Sequence, residues 1–301
     1  MHIKITQFMK GVLFSLLGYF FMAVMSICAK KLPHLPITTL VFAQFFIGFL
    51  FNLPSVLKSG MASVKTRHPW LMIIRATTGM LSLAAMVFAI RYIPVVDAVL
   101  LQNTIPLFVP LVLLLWLKKA IPHRLWLGLI IGFLGVLMII KPNASIIDFS
   151  ALVGLSAGIL SAVSMVTISL LRKTEPTQRI TFYFLLVGTV VTLPFMFLHW
   201  TPLQGYDVLW LFALGVSLYL GQLLVTHAFL FAPAHAIAPL SYSAVIFTGL
   251  LSWLIWGHVP DWLTVGGIIM VVVGGVMVIL MEQRLQQRTK LAQESAMLKV
   301  R

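Results

Sequence analysis

Residues 11–58 read GVLFSLLGYFFMAVMSICAKKLPHLPITTLVFAQFFIGFLFNLPSVLK, two uncharged apolar runs joined by the short basic turn Lys30-Lys31-Leu32-Pro33-His34-Leu35-Pro36. At 1.5 Å per residue, each run is long enough to cross about 30 Å of hydrocarbon as a helix. Backbone amides in lipid must find partners within their own segment, so a helix is the form such a run takes. The prolines and paired lysines mark a reversal at a membrane surface. This hairpin decides the fold class: an all-α integral membrane protein.

The same pattern continues along the chain, giving ten expected transmembrane helices at 9–29, 36–57, 69–90, 94–117, 123–140, 149–171, 179–198, 206–230, 236–256 and 261–281. Of the 301 residues, 60% are apolar and only 9% charged. That is too little charge to cover a water-soluble surface, which excludes a soluble enzyme or a disordered chain. A disulfide scaffold is excluded by the single cysteine, Cys28. The first run follows His2, Lys4 and Lys10, yet it exceeds a secretory signal's apolar region of about 7–15 residues and is followed by further spans.

The net charge of +14 comes from 21 basic against 7 acidic residues. The excess sits in small groups at span ends rather than in a stripe among aromatics, so it argues for topology and against nucleic acid. One set of loops and ends holds sixteen of the basic residues; the opposite set holds four, Lys30, Lys31, Arg91 and Lys141, and Arg75 alone lies inside a span. By the positive-inside rule both termini are expected in the cytoplasm. All eight tryptophans fall near expected span ends, where indole rings prefer to lie.

Shifting the chain by 139 positions places Pro94 on Pro233, Gly128 on Gly267 and Gly135 on Gly274. Two related halves of five spans each must enter the membrane in opposite senses, a five-plus-five inverted repeat whose substrate site lies near mid-membrane between the halves.

These features resemble the drug/metabolite transporter superfamily, in its ten-span branch built from two EamA-type repeats. The resemblance covers about residues 10–281. It rests on Arg75-Ala76 opening the third span, Ala89-Ile90-Arg91-Tyr92-Ile93-Pro94 leading into the fourth, Pro106-Leu107-Phe108-Val109 within it, and Gly132-Phe133-Leu134-Gly135-Val136-Leu137 through Lys141-Pro142. It implies a first repeat at 1–143, a second at 144–281 and a basic cytoplasmic tail at 282–301, in a multi-pass protein of the bacterial inner membrane. It further implies a secondary transporter that moves a small organic metabolite, amino-acid-like, nucleoside-bearing or vitamin-like, by alternating access. Its fourth and ninth spans would flank the cavity. Lys119 and His258 stand where such repeats usually carry an acid, and Gln44 where the second span often carries a base.

Polar side chains inside spans are the candidates for binding, because hydrocarbon penalises them unless they face a cavity or a partner. Arg75 is either a cavity cation that orients an anionic or carboxylate-bearing substrate or a snorkelling or helix-tying arginine that reaches the inner headgroups along its stem. Gln44, Gln102, Asn103 and Gln222 offer neutral hydrogen bonds to a substrate or between helices. Pro106 leaves the Gln102 carbonyl without its helical partner, which makes the fourth span the best site helix. Tyr242, with Tyr219 and Trp253, forms an aromatic wall or packs between helices. His227 and His235 flank a turn, where they sense pH or are simply solvated, and their spacing is no metal motif. Asp97 is the one acid just inside a span, at its outer end, which argues against carboxylate-driven proton antiport. Gly154, Gly158 and Ala162 along one face of the sixth span, with Gly128, Gly132 and Gly274 in the fifth and tenth, allow close helix packing.

No phosphate-binding glycine loop or Ser–His–acid motif is present, so neither catalysis nor ATP drive is expected, and no cofactor or metal. The expected partners are a small-molecule substrate and the lipid bilayer, with the chain a monomer or homodimer. A lipid-handling protein acting on amphiphiles at the bilayer is the alternative.

Overall fold

The computed structural model describes residues 2–58, 64–118, 123–140, 149–199, 201–257, 262–263, 265–270, 272–274, 276–277 and 280–281. Lys119, Lys141, Pro142, His258 and the tail 282–301 lie outside these residues, as does the side chain of His235. Every named element among the described residues is helical: α1 (His2–Lys31), α2 (Ile37–Lys58), α3 (Pro69–Tyr92), α4 (Val95–Gln102), α5 (Ile105–Leu117), α6 (His123–Ile140), α7 (Phe149–Leu171), α8 (Thr177–Leu198), α9 (Asp207–Ala228), α10 (Ala234–Ile237), a 3-10 turn (Ala238–Ser241) and α11 (Tyr242–Trp256).

Among the described residues, eight helices are long and apolar enough to cross a bilayer: Gln7–Lys31, Ile37–Lys58, Pro69–Tyr92, Val95–Trp116, Leu152–Leu171, Thr177–Leu198, Asp207–Ala228 and Ala238–Trp256. Shorter apolar helices, Trp126–Gly135 and Val265–Gly274 (α12), lie within the fifth and tenth expected spans. Local chemistry sets the boundaries. Pro69 opens α3 at a position whose amide needs no helical partner, and Gly257 closes α11 in the left-handed region, donating its amide to the Trp253 carbonyl at 2.8 Å. Large apolar side chains such as Leu115, Phe197 and Leu254 remain exposed, as lipid-facing positions require.

Two spans expected to be continuous are broken. The fourth stops at Gln102 and resumes at Ile105, because Pro106 has no amide to give the Gln102 carbonyl. Asn103 Nδ2 donates to the Val99 carbonyl at 2.6 Å and Thr104 Oγ1 to that of Leu101 at 2.7 Å, so two carbonyls beside the break gain side-chain donors. The ninth span passes through α10 and the 3-10 turn, which contains Pro239, before α11.

The principal packings join an N-terminal helix to a C-terminal one: α1 on α9, α3 on α7, and α2 on α8 and α9. At the α1–α9 crossing, a Cβ on Gly18 would lie 3.1 Å from the Gly221 carbonyl oxygen, and one on Gly221 equally close to the Gly18 carbonyl. Only glycine allows that approach. The expected small-residue face of α7 receives the break in the fourth span, since a Cβ on Gly158 would meet the Leu101 carbonyl at 2.7 Å. Likewise Gly274 of α12 lies directly on Gly128 and Gly132 of α6.

Side chains tie both ends of the bundle. At one end Lys30 Nζ donates to the Ile90 carbonyl at 2.7 Å, Arg91 reaches the Leu35 carbonyl, and His34 Nε2 sits 2.9 Å from Asp207. At the other, Glu175 accepts hydrogen bonds from Thr66 Oγ1 and the Arg67 amide, both at 2.8 Å, and pairs with Arg179. The His34–Asp207 contact at one end and the bonds of Glu175 to Thr66 and Arg67 at the other join one half of the chain to the other.

Candidate functional site

Between these ends lies a cavity of about 80 Å³. That admits several waters. Six spans meet around it, five of them contributing the polar lining: Tyr19 and Ser26 of α1, Arg75 and Ser82 of α3, Gln102 and Asn103 at the break, Ser161 and Ser164 of α7, and Gln222 of α9. Met22, Leu83, Val99, Ile105, Met165, Ile168, Val225 and Ala244 complete the wall.

Arg75 dominates the electrostatics. Its residue is 2% exposed, and its guanidinium donates to Ser164 Oγ at 2.8 Å and to Gln222 Oε1 at 2.5 Å. The Phe184 ring of α8 stacks against it, 4.1 Å from Cζ to the ring centroid. Gly79, one turn along α3, leaves the space the guanidinium fills: a Cβ there would sit 2.9 Å from Phe184 and 3.1 Å from Ser164 Oγ, and closer still to Arg75 Nη1. Three C-terminal helices therefore grip one N-terminal arginine.

Arg75 has no carboxylate partner among the described residues, none of those lining the cavity is acidic, and its Nε has no hydrogen-bond partner. Desolvating a cation costs several kcal/mol. Hydrogen bonds to a charged group return about 1.5–3 kcal/mol each and a desolvated cation–π contact about 2 kcal/mol. The site is thus held together, and its cation has no counter-ion among the described residues.

A second network runs beside it. Gln102 Nε2 donates to Ser82 Oγ at 3.3 Å, and Ser82 lies 2.6 Å from Ser161 and donates to the Ala157 carbonyl at 2.9 Å. The remaining donors and acceptors of Gln102 and Gln222 are available to a solute. The Tyr19 hydroxyl, in a residue 5% exposed, has no partner.

Of the residues expected from sequence, Arg75, Gln102, Asn103 and Gln222 come together here, whereas Gln44 and Tyr242 stand outside the lining. Gln44 is wholly buried on α2, with both amide atoms unpartnered, and Tyr242 lies against Gly132 of α6. Tyr219 turns toward Phe51 and Trp253 is nearly half exposed, so neither completes an aromatic wall around the cavity. His227 is enclosed by Phe14 and Phe231, with Thr177 Oγ1 3.4 Å from Nδ1. Sequence reasoning passed over Tyr19 and the serines. Gly79, one turn after Arg75, was the available signal for the cage.

A sequence profile described as the EamA-like transporter family matches residues 9–141 and again 148–280. The chain is 35% identical over 268 residues to the pseudopaline exporter CntI of Pseudomonas aeruginosa, covering 87% of this chain and 93% of that protein. It is 24% identical to the S-adenosylmethionine uptake transporter of Rickettsia felis, covering 90% and 95%, and 29% identical to the riboflavin transporter of Rhizobium johnstonii, covering 83% and 82%. A crystal structure with 18% sequence identity shares the fold, with a TM-score of 0.72 over 93% of this chain and 98% of that one.

Proposed function

From the premise that the chain belongs to the EamA-like transporter family, and is a multi-pass small-metabolite transporter of the bacterial inner membrane, we propose that its cargo carries a carboxylate, bound at Arg75, and crosses by alternating access. The cargo class is amino-acid-like, nucleoside-bearing or vitamin-like, in keeping with what its relatives are named for. Arg75 pairs with the carboxylate, while Gln102, Asn103 and Gln222 hydrogen-bond the rest of the molecule. The observation that carries this reading is a buried arginine without a counter-ion in a cavity where both halves of the chain meet.

The same reading makes the chain a ten-span inverted repeat, 1–143 and 144–281, with both termini and the tail 282–301 in the cytoplasm. Supporting it, the 139-residue shift carries Gln102, the last residue of α4, onto Ser241, the last residue of the 3-10 turn. Broken helices in matching places are the mark of a mid-membrane site. Gly48 and Pro54 of α2 are likewise echoed, at the same six-residue separation, by Gly188 and Pro194 of α8. The ties at the two ends then act as gates that open one at a time around the cavity.

A thermal-shift screen of detergent-purified protein against amino acids, nucleosides, S-adenosylmethionine, vitamins, sugars and lipids tests the reading, because a ligand of the folded state raises apparent stability by mass action. Carboxylate-bearing solutes should stabilise the protein and drive counterflow in proteoliposomes. Stabilisation by lipids alone, without solute flux, would instead support action on amphiphiles.

A further inference from the structure

We propose that the basic depression at the Glu175 end of the bundle binds a phosphate-bearing anion at the level of the lipid headgroups. It is lined by Lys65, Thr66 and Arg67, from the segment between α2 and α3, and by Thr174, Pro176 and Arg179, from the segment between α7 and α8 and the first turn of α8. It holds about 890 Å³ of space open to solvent. Two segments more than 100 residues apart in sequence thus bring three cations together.

The carboxylate beneath them is Glu175, 2% exposed. It bonds Thr66 Oγ1, the Arg67 amide and the Arg179 guanidinium, and so fixes the two segments to each other. Tyr183 adds a further tie, its hydroxyl donating to the Val64 carbonyl at 3.0 Å. Glu175 offsets only one of the three positive charges. The side chains of Lys65 and Arg67 are exposed and line the same depression as like charges. An anion between them relieves that repulsion, and arginine's planar fork matches phosphate oxygens.

Position sets the ligand's level. Trp70, three residues after Arg67, is 70% exposed at the start of α3, and exposed indoles mark the headgroup region. Basic pockets between spans at that level suit anionic headgroups. Because the lining comes from both halves of the chain, an occupant reinforces the Glu175 tie and holds this end closed.

Two arms separate a lipid phosphate from a free one. The full chain in detergent is titrated with short-chain phosphatidylglycerol, with short-chain phosphatidylcholine as the zwitterionic control, and separately with inorganic pyrophosphate, following the melting midpoint. Phosphatidylglycerol should raise the midpoint and phosphatidylcholine should not. The Lys65→Gln/Arg67→Gln variant keeps the Arg67 amide bond to Glu175 and removes the repulsion, so its midpoint without lipid should match or slightly exceed wild type. Its apparent affinity for phosphatidylglycerol should fall about 30-fold, roughly fivefold per charge removed. If the double variant melts early, Lys65→Gln alone should still show the fivefold loss. A rise with pyrophosphate and none with lipid supports the site and assigns it to soluble phosphate. Equal responses of wild type and variants to every anion, or no response beyond the zwitterionic control, would overturn the proposal.

Discussion

Replacing Gly79 with alanine tests whether the arginine cage is as tight as its geometry indicates. The new methyl would lie 2.9 Å from Phe184 Cε2 and 3.1 Å from Ser164 Oγ, with Arg75 Nη1 nearer than either, against ordinary contacts of about 3.5–4.0 Å between carbons. The guanidinium must retreat, and its bonds of 2.8 Å to Ser164 and 2.5 Å to Gln222 cannot both survive that movement. Side-chain hydrogen bonds between membrane helices contribute on average about 0.6 kcal/mol and at most about 1.7 kcal/mol, so losing two costs about 1–3 kcal/mol. Overpacking adds about 1–3 kcal/mol, and alanine's better helix propensity returns about 0.5–1 kcal/mol. The net destabilisation is about 1–5 kcal/mol, readable as a fall of roughly 2 °C or more in melting midpoint. Gly249→Ala is the control, because no atom lies within 4 Å of its added methyl; it should melt at or slightly above wild type. In an Arg75→Ala background the cost of Gly79→Ala should drop by at least half, since the principal clash is gone. A Gly79→Ala protein that melts with wild type, or a cost unchanged without Arg75, would refute the cage.

Gly188→Ala should destabilise the α2–α8 packing by about 1–3 kcal/mol, because its methyl would come within 2.5–2.6 Å of ring atoms of the buried Phe45; an unchanged melting midpoint would show that this ring moves freely. Burial pushes the Glu175 carboxyl up, but hydrogen bonds from Thr66, the Arg67 amide and Arg179, with the charge of Arg179, outweigh it and hold the group below the usual carboxylate range. A depressed folded value contributes stability that is fully present above the ordinary carboxylate value of 4.5 and lost as pH falls through the folded value. The melting midpoint should therefore fall with acid below that pH, and Glu175→Gln should flatten that limb; equal acid slopes in both proteins would remove Glu175 from the account.

Much of the fold was legible because apolar run length and charged breaks report directly on a bilayer. The freed Gln102 carbonyl in the fourth span was legible too, since Pro106 removes a specific donor, though the interruption of the helix it leads to was not. Arg75 was visible as the one charge deep within a span, but its partners were not. Ser161 and Ser164 look like any helical serine bonding its own backbone, and Tyr19 lies in a run where aromatics are ordinary. Gln44 and Tyr242 were placed by depth along their helices. Depth says nothing of direction when a helix is apolar on every side, and neither side chain is among those lining the cavity. Glu175 reads as an ordinary loop acid until the fold delivers Thr66 and Arg67 to it from more than 100 residues away.

The central claim is that Arg75 binds the carboxylate of the cargo. Its most direct test is counterflow in proteoliposomes of a solute identified by thermal shift, measured for the free acid and its methyl ester in wild type and in Arg75→Gln. The wild type should favour the acid by at least about tenfold, the discrimination carried by about 1.4 kcal/mol of charge pairing, and Arg75→Gln, correctly inserted, should lose that preference. Undiminished discrimination in Arg75→Gln would contradict the claim and leave Arg75 as a tie between helices.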